Sequence, residues 1–457
     1  MTDLYNFGLS GYVGLVMYII MIGVILASLR WPIVGLYYLI PLLPLQSVRS
    51  RLDAYPAGAS MMTIVLLAMT LGLLFNKEKV FVRSPLTWVL GGYSLFTFVS
   101  LIFGTFNLGR EFPFAIDDPR LVVWRNLVTM FYFLIVTLAI IKTPKQIRIL
   151  FTLMCVSILL FNQNFWSSVK DKDFSSYSND LRDIEGAAGY AGINGLAALE
   201  AQAACMLLGM SGFLEKRKHR WAVVGIATFS AICCTYSLSR GGYAGFLVGW
   251  VFLGIVKYRK LLVALALFAA TWTMILPNAV VERVNMTTGG ESLTTQGDLD
   301  HSSATRVSLW QEALQETAES PIIGRGFDTY AYMEHLSGYL DSHNIYLKVL
   351  VEMGYVGLAL FLGMFFQFFR VGIKLMRTAK DRFNAGLGLA LAAWMVATFA
   401  TNMFGDRFTH YPQVAGFTFV LGGLVCRALI LEREATETED AEESAETLPQ
   451  GLQWRQA

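Results

Sequence analysis

Gly354-Tyr-Val-Gly-Leu-Ala-Leu-Phe-Leu-Gly-Met-Phe-Phe-Gln-Phe-Phe369 runs sixteen residues without a charge and completes an apolar stretch that begins at Asn344. A helix needs roughly 20 such residues to cross the hydrocarbon core of a bilayer. The stretch 344–369 is long enough, and it lacks the strict alternation of a barrel strand. In lipid, only a helix or a closed barrel satisfies every backbone group internally, so the helix is preferred. Similar blocks recur near 11–29, 31–46, 58–75, 85–104, 121–141, 147–167, 191–214, 221–238, 242–256, 261–277, 384–404 and 412–430. With 55% hydrophobic and 15% charged residues and a mean hydropathy of +0.50, such blocks dominate the chain. The expected fold is an all-α polytopic membrane protein. It has about 12–13 transmembrane helices and one large, partly helical periplasmic loop. The count is 12 or 13 because the second block is short and interrupted by Pro41 and Pro44.

The blocks divide the chain into four parts. Residues 1–277 hold ten spans with short loops, 278–342 the large loop, and 343–430 three further spans. Residues 431–457 form an acidic, low-complexity tail expected to be disordered and cytoplasmic. Lysine and arginine collect in alternate connections: Lys77 to Arg83, Lys142 to Arg148, Lys216 to Arg220, Lys257 to Lys260 and Arg370 to Arg382. If these are cytoplasmic, the amino terminus is outside and the tail inside. No basic residue precedes Gly11, so the first block is expected to stay in the membrane as a span.

The opposite face then carries 106–120, 169–190, the turn Ser239-Arg240-Gly241-Gly242 and the loop 278–342. That loop holds Arg283, Arg306 and Arg325 but no lysine, which suggests placed guanidinium groups rather than a diffuse positive field. Val307, Trp310, Leu314 and Thr317 recur at helical spacing and Ser320-Pro321 ends the run, so part of the loop reads as an amphipathic helix.

A net charge of +2 gives no reason to expect a nucleic-acid partner. The five cysteines (155, 205, 233, 234 and 426) all lie in apolar blocks, which excludes a loop disulfide framework and a cysteine zinc site. The histidines are scattered, so no metal and no cofactor is expected. His343 stands apart from the others. It sits where the large loop meets the span 344–369, with Asp341, Ser342 and Asn344 beside it. An imidazole has an ordinary pKa of about 6.5 and can take a proton near neutral pH. Read alone, it would remain a polar helix cap. Asp341 could orient the ring or Ser342 could cap the helix. The interval from His343 to Gly354 is about three helical turns, which would put both on one helix face.

Four pieces together resemble the O-antigen ligase and polysaccharide polymerase superfamily of bacterial inner membranes. They are Ser237-Leu-Ser-Arg-Gly-Gly242, Thr305-Arg-Val-Ser-Leu-Trp310, Pro321-Ile-Ile-Gly-Arg-Gly-Phe327, and His343-Asn344 through Glu352-Met-Gly-Tyr-Val-Gly-Leu358. Their order and spacing fit across about residues 190–370. The resemblance extends to a branch described as O-glycosylation ligases. It implies a metal-independent glycosyltransferase. Such an enzyme moves a glycan from undecaprenyl diphosphate to lipid A–core or another acceptor at the periplasmic face of the inner membrane.

Under that resemblance the leaving group is a lipid diphosphate, which arginines suit by their planar, always-charged fork. Arg240 and Arg306 are then the expected clamp, with Arg325 a third member. The glycines after Arg240 would let backbone approach a headgroup. His343 is the expected base for the acceptor hydroxyl. Asn194, Asn344 and Asp341 are substrate-binding or structural, an N-cap role being equally open for Asn194. Glu200, inside an apolar block, has no assigned role. A ligase is preferred to a polymerase joining lipid-linked repeat units. A flippase of lipid-linked saccharides is the alternative from another class. It predicts an internal repeat and polar sites at the bilayer midplane, neither of which is evident.

Overall fold

Every one of the apolar blocks is helical in the computed structural model, which describes residues 10–45, 60–110, 118–182, 192–286, 301–333, 341–409 and 412–446. The helices are α1 (Ser10–Arg30), α2 (Ile33–Leu42), α3 (Met61–Phe75), α4 (Pro85–Asn107), α5 (Pro119–Ile140), α6 (Pro144–Val169), α7 (Gly192–Ser211) and α8 (Arg217–Tyr236). They continue with α9 (Arg240–Val256), α10 (Arg259–Ile275), α11 (Asn278–Asn285), α12 (His301–Glu319), α13 (Ile345–Thr378), α14 (Arg382–Asn402) and α15 (Pro412–Glu446). Their starts are written locally. Ser84, Asp118 and Thr143 accept from first-turn amides of α4, α5 and α6, and each is followed by a proline at the head of its helix. That proline has no N–H to leave unsatisfied and a φ already set for the helix.

The protein is an all-α polytopic membrane protein. Among the described residues seven helices are long and apolar enough to span: α4, α5, α6, α7, α13, α14 and the 415–438 part of α15. α10 and α11 add an eighth if read as one span bent by 111°. The expected 12 or 13 is met as helices, of which α2, α3 and α9 are apolar but shorter than a full span.

α7 and α14 are the centre of the bundle: 83% of each span is buried, against 39% for α4. Both are rich in alanine and glycine, and small side chains let helices in lipid approach closely. At the α13–α14 crossing a Cβ on Gly372 would lie 2.8 Å from the carbonyl oxygen of Gly388. α8, α9 and α13 pack around this pair.

The lysine- and arginine-rich connections gather at one end of the bundle. Lys142 pairs with Glu78 at 3.0 Å, Arg148 with Asp381 at 2.5 Å, and Lys257 lies 4.6 Å above the ring of Phe213. The tail differs from expectation. α15 continues past Ile430 to Glu446, carried by glutamate and alanine, which favour helix. Glu432 accepts from the amides of Lys380 and Asp381 and from the Asn384 side chain, at 2.8–3.2 Å, fastening the helix to the start of α14.

In the large loop the amphipathic helix exists as α12, and it ends at Glu319, just before Ser320-Pro321, as expected. Its buried face carries Leu309, Glu312, Ala313 and Thr317, while Val307 and Leu314 are exposed. The buried stripe is turned from the expected one because α12 packs on α13.

Candidate functional site

At the end of the bundle away from the lysine-rich loops, the start of α9 meets α7 and the loop after α14. Leu238 takes a left-handed conformation (φ 54°) that turns the chain sharply into α9. Ser239 then donates to the side-chain oxygen of Asn194 at 2.8 Å, and Arg182 donates to the same atom at 3.0 Å. Asn194 is therefore a junction inside the first turn of α7 rather than its cap. The glycines after Arg240 are occupied by protein. A Cβ on Gly241 would meet Phe404 at 2.8 Å, and one on Gly242 would meet Ala197 at 2.7 Å. They bring α9 against its neighbours and leave no opening for a headgroup, contrary to expectation.

Arg240 lines a small pocket with Arg182, Arg283, Arg306 and Arg407, together with Asn194, Ser239 and Thr401. The five arginines come from five separate elements: the turn before α7, α9, α11, α12 and the loop after α14. No aspartate or glutamate is among the described residues that line it. Two of the guanidinium groups lie over rings, Arg283 at 5.0 Å from Tyr177 and Arg306 at 6.0 Å from Phe404. Guanidinium groups present planar, always-charged forks that suit an anion with several negative oxygens. The free space is only about 10 Å³, room for about one water molecule.

Arg325, the third expected clamp residue, is elsewhere. It pairs with Glu319, and at 3.8 Å with Glu316, at the end of α12. Its motif has a different task. α13 is broken at Gly354 (φ 62°, ψ −168°), and the Pro321–Phe327 turn fits the break. The amides of Arg325 and Gly326 donate to Val351 and Glu352 at 2.9 and 2.6 Å, and those of Tyr355 and Val356 donate to Pro321 and Ile322 at 2.8 and 3.2 Å. A Cβ on Gly354 would lie 2.3 Å from the carbonyl carbon of Ile322, and one on Gly326 would lie 2.1 Å from Cα of Gly104. His343 and Gly354 therefore do not share one continuous helix face. Buried Arg120 braces the same turn, donating to Phe327 O at 2.7 Å and to Leu101 O at 3.1 Å.

Asn344 caps α13, accepting from the amides of Tyr346 and Leu347 at 3.0 and 3.4 Å. That frees His343 from the capping role. Its imidazole Nδ1 lies 3.0 Å from Asp341 Oδ2, and its own amide donates to Asp341 Oδ1 at 3.1 Å. With Nδ1–H on the carboxylate, the proton-accepting lone pair falls on Nε2. The His343 backbone is left-handed at φ 52°, a conformation uncommon outside glycine, and 42% of the side chain is exposed. Burial raises the Asp341 carboxyl. The hydrogen bond with His343 and the charges of Lys348 and His343 outweigh it and hold the carboxyl below its ordinary value.

The imidazole and the arginine pocket are connected through Lys348, one turn into α13. Its buried ammonium lies 3.4 Å from Asp406, 3.8 Å from Asp328 and 3.9 Å from Glu352. Asp406 caps the turn that follows it, accepting from Phe408 and Thr409, and immediately precedes Arg407 of the pocket. Lys348 thus ties together the head of α13, the Gly326-Phe327-Asp328 turn and the loop presenting Arg407. Glu200 is fully buried in α7 beside Asn162 and Ser230, away from this cluster.

Sequence reasoning placed Arg240, Arg306, Asn194 and the His343–Asp341 pair at this end. It did not assign Arg182, Arg283, Arg407 or Lys348. Arg283 was within reach, being one of three arginines in a lysine-free loop. Arg182 was not, because Lys170 and Lys172 share its connection.

Among the described residues no cluster of three or more His, Cys, Asp or Glu side chains has a metal-holding arrangement. No curated protein matches the chain. Residues 224–362 match the family model described as O-antigen ligase, a segment that includes Arg240, Arg283, Arg306, His343 and Gly354. That match supports the superfamily that the four motifs resemble.

Proposed function

We propose that the protein is a glycan ligase of the bacterial inner membrane. It transfers a saccharide from undecaprenyl diphosphate to a lipid A–core or comparable acceptor at the periplasmic face. The observation carrying this reading is the convergence of five arginines from five elements on one small pocket. In the reaction the acceptor hydroxyl attacks the anomeric carbon and its proton passes to Nε2 of His343. The bond from that carbon to the diphosphate oxygen breaks, and the bonding pair leaves with the lipid diphosphate. Charge grows on the diphosphate as it departs, and preorganised cations act most strongly on charge that develops in the transition state. Asp341 holds the imidazole in the useful tautomer and stabilises it once protonated. Lys348 is a positioning residue, acting through Asp406 and the Arg407 loop.

Purified protein supplied with undecaprenyl-diphosphate glycan and a lipid A–core acceptor is expected to form the glycosidic product equally well with EDTA present. Loss of product on chelation would sink the metal-independent mechanism. Movement of intact donor between leaflets without a new bond would favour a flippase instead. In the same assay Arg325→Ala is expected to change the rate by less than about twofold, because exposed ion pairs contribute little. A loss as large as that of a pocket arginine would return Arg325 to the clamp.

A further inference from the structure

At the lysine- and arginine-rich end of the bundle, away from the arginine pocket, the last turns of α13 and the middle of α15 stand beside the segment leading into α4. Between them lies a cavity of about 620 Å³. Four cationic side chains line it, Arg83, Lys374, Arg427 and Arg433, against two carboxylates, Glu432 and Glu434. Glu432 is already engaged with the amides of Lys380 and Asp381 and with the Asn384 side chain. Arg433 has a carboxylate on its own helix, Glu437, at 3.4 Å. Arg83, Lys374 and Arg427 pair with none among the described residues. The Nε of Arg427 is buried and has no hydrogen-bond partner among them. A buried donor left unpaired is costly, and an anionic oxygen entering the cavity would satisfy it.

The surroundings of the cavity suit a lipid headgroup. Phe81 and Trp88, 47% and 63% exposed, bracket Arg83 in sequence and pack edge to face with ring centroids 6.1 Å apart. Exposed aromatic rings at the head of a span mark the membrane–water interface. The lining is also apolar in part, with Val82, Pro85, Leu429 and Ile430 beside the cations. A water-soluble anion would use the cations alone. A phospholipid would use both, its phosphate at the cations and its glycerol and first methylenes on the apolar wall.

We infer that this cavity, independently of the reaction proposed above, binds the headgroup of an anionic phospholipid from the leaflet at that end of the bundle. Basic pockets between membrane helices hold such headgroups by charge-assisted hydrogen bonds to phosphate. The bound lipid would bridge α4, α13 and α15.

The test is titration of the purified, delipidated full chain in detergent with dioleoylphosphatidylglycerol and with dioleoylphosphatidylcholine, bound lipid being counted by native mass spectrometry. Phosphatidylglycerol is expected to bind at least about tenfold more tightly than phosphatidylcholine. Arg83→Gln and Lys374→Gln alter exposed side chains. Each is expected to weaken phosphatidylglycerol about fivefold, the effect of one juxtamembrane cation, while phosphatidylcholine stays within about twofold of wild type. Lys260→Gln removes the same charge from the exposed start of α10 and is expected to keep wild-type affinity within about twofold. Equal affinity for the two lipids overturns the assignment, as does unchanged phosphatidylglycerol binding in both cavity variants. A loss in Lys260→Gln as large as theirs also overturns it, since attraction would then be spread over the surface. Glycerophosphoglycerol, the same headgroup without acyl chains, is expected not to displace the lipid at equal concentration. Displacement would reassign the cavity to a water-soluble phosphate ester.

Discussion

His343→Ala is expected to lower glycan transfer by about 10²–10⁴-fold, the usual contribution of a positioned general base, while the protein still folds. The imidazole is half-exposed and does not cap α13, so removing it leaves Asn344 on the helix amides and α13 in place. Replacement by alanine keeps the left-handed backbone at position 343, so some local strain remains and melting should shift little. The measurement is the initial rate with lipid-linked donor, set beside a melting curve in the same detergent. A variant that transfers at the wild-type rate would remove His343 from the chemistry.

Asp341→Asn provides the companion reading. Its folded value is depressed, so its stabilising contribution is present above the ordinary carboxyl value of 3.8 and is lost as pH falls through the lower folded value. Partial exposure of the carboxylate keeps that contribution small. The variant should therefore melt nearly as wild type at neutral pH, lose part of the acid-limb dependence, and transfer more slowly because a carboxamide NH2 facing Nδ1 selects the tautomer with its proton on Nε2.

Gly354→Ala is expected to be strongly destabilising for the addition of one methyl. A side chain at φ 62° is strained, and the added carbon would lie 2.3 Å from the backbone of Ile322, which has no flexible end to move aside. Relief requires the Pro321–Phe327 turn to withdraw, breaking the four backbone hydrogen bonds that replace those missing from α13. A loss of about 2–4 kcal/mol is the scale for such changes. It should appear as a large fall in melting temperature or as failure to accumulate, with residual transfer falling in parallel. A Gly354→Ala protein as stable as wild type would mean that the turn does not seat in the break. Gly363→Ala is the control, since a Cβ there meets nothing within 4 Å.

Helices were legible because hydrophobic length is a local property: the run 354–369 announces itself without knowledge of any partner. The same local reading misjudged Gly354. Its neighbours are apolar and its spacing from His343 is helical, while the break is enforced by a turn some thirty residues earlier in sequence. The arginine pocket was legible in kind but not in membership. Arg240 and Arg306 carried a motif, whereas Arg182 and Arg407 reach the pocket only through the meeting of α7, α9 and α14. Arg325 showed the reverse error. It lies in a motif, yet the part of that motif that matters is its backbone and its glycines, while its side chain pairs with Glu319 at the surface.

The broken helix also bears on how the chain enters a membrane. Unsatisfied amides and carbonyls are costly in lipid, so α13 is not complete as an inserting segment until residues 321–327 have closed its gap. Those residues leave the ribosome before α13 does. The order of synthesis therefore delivers the plug ahead of the span it repairs, and makes the large loop a participant in insertion of α13 rather than an ornament added afterwards.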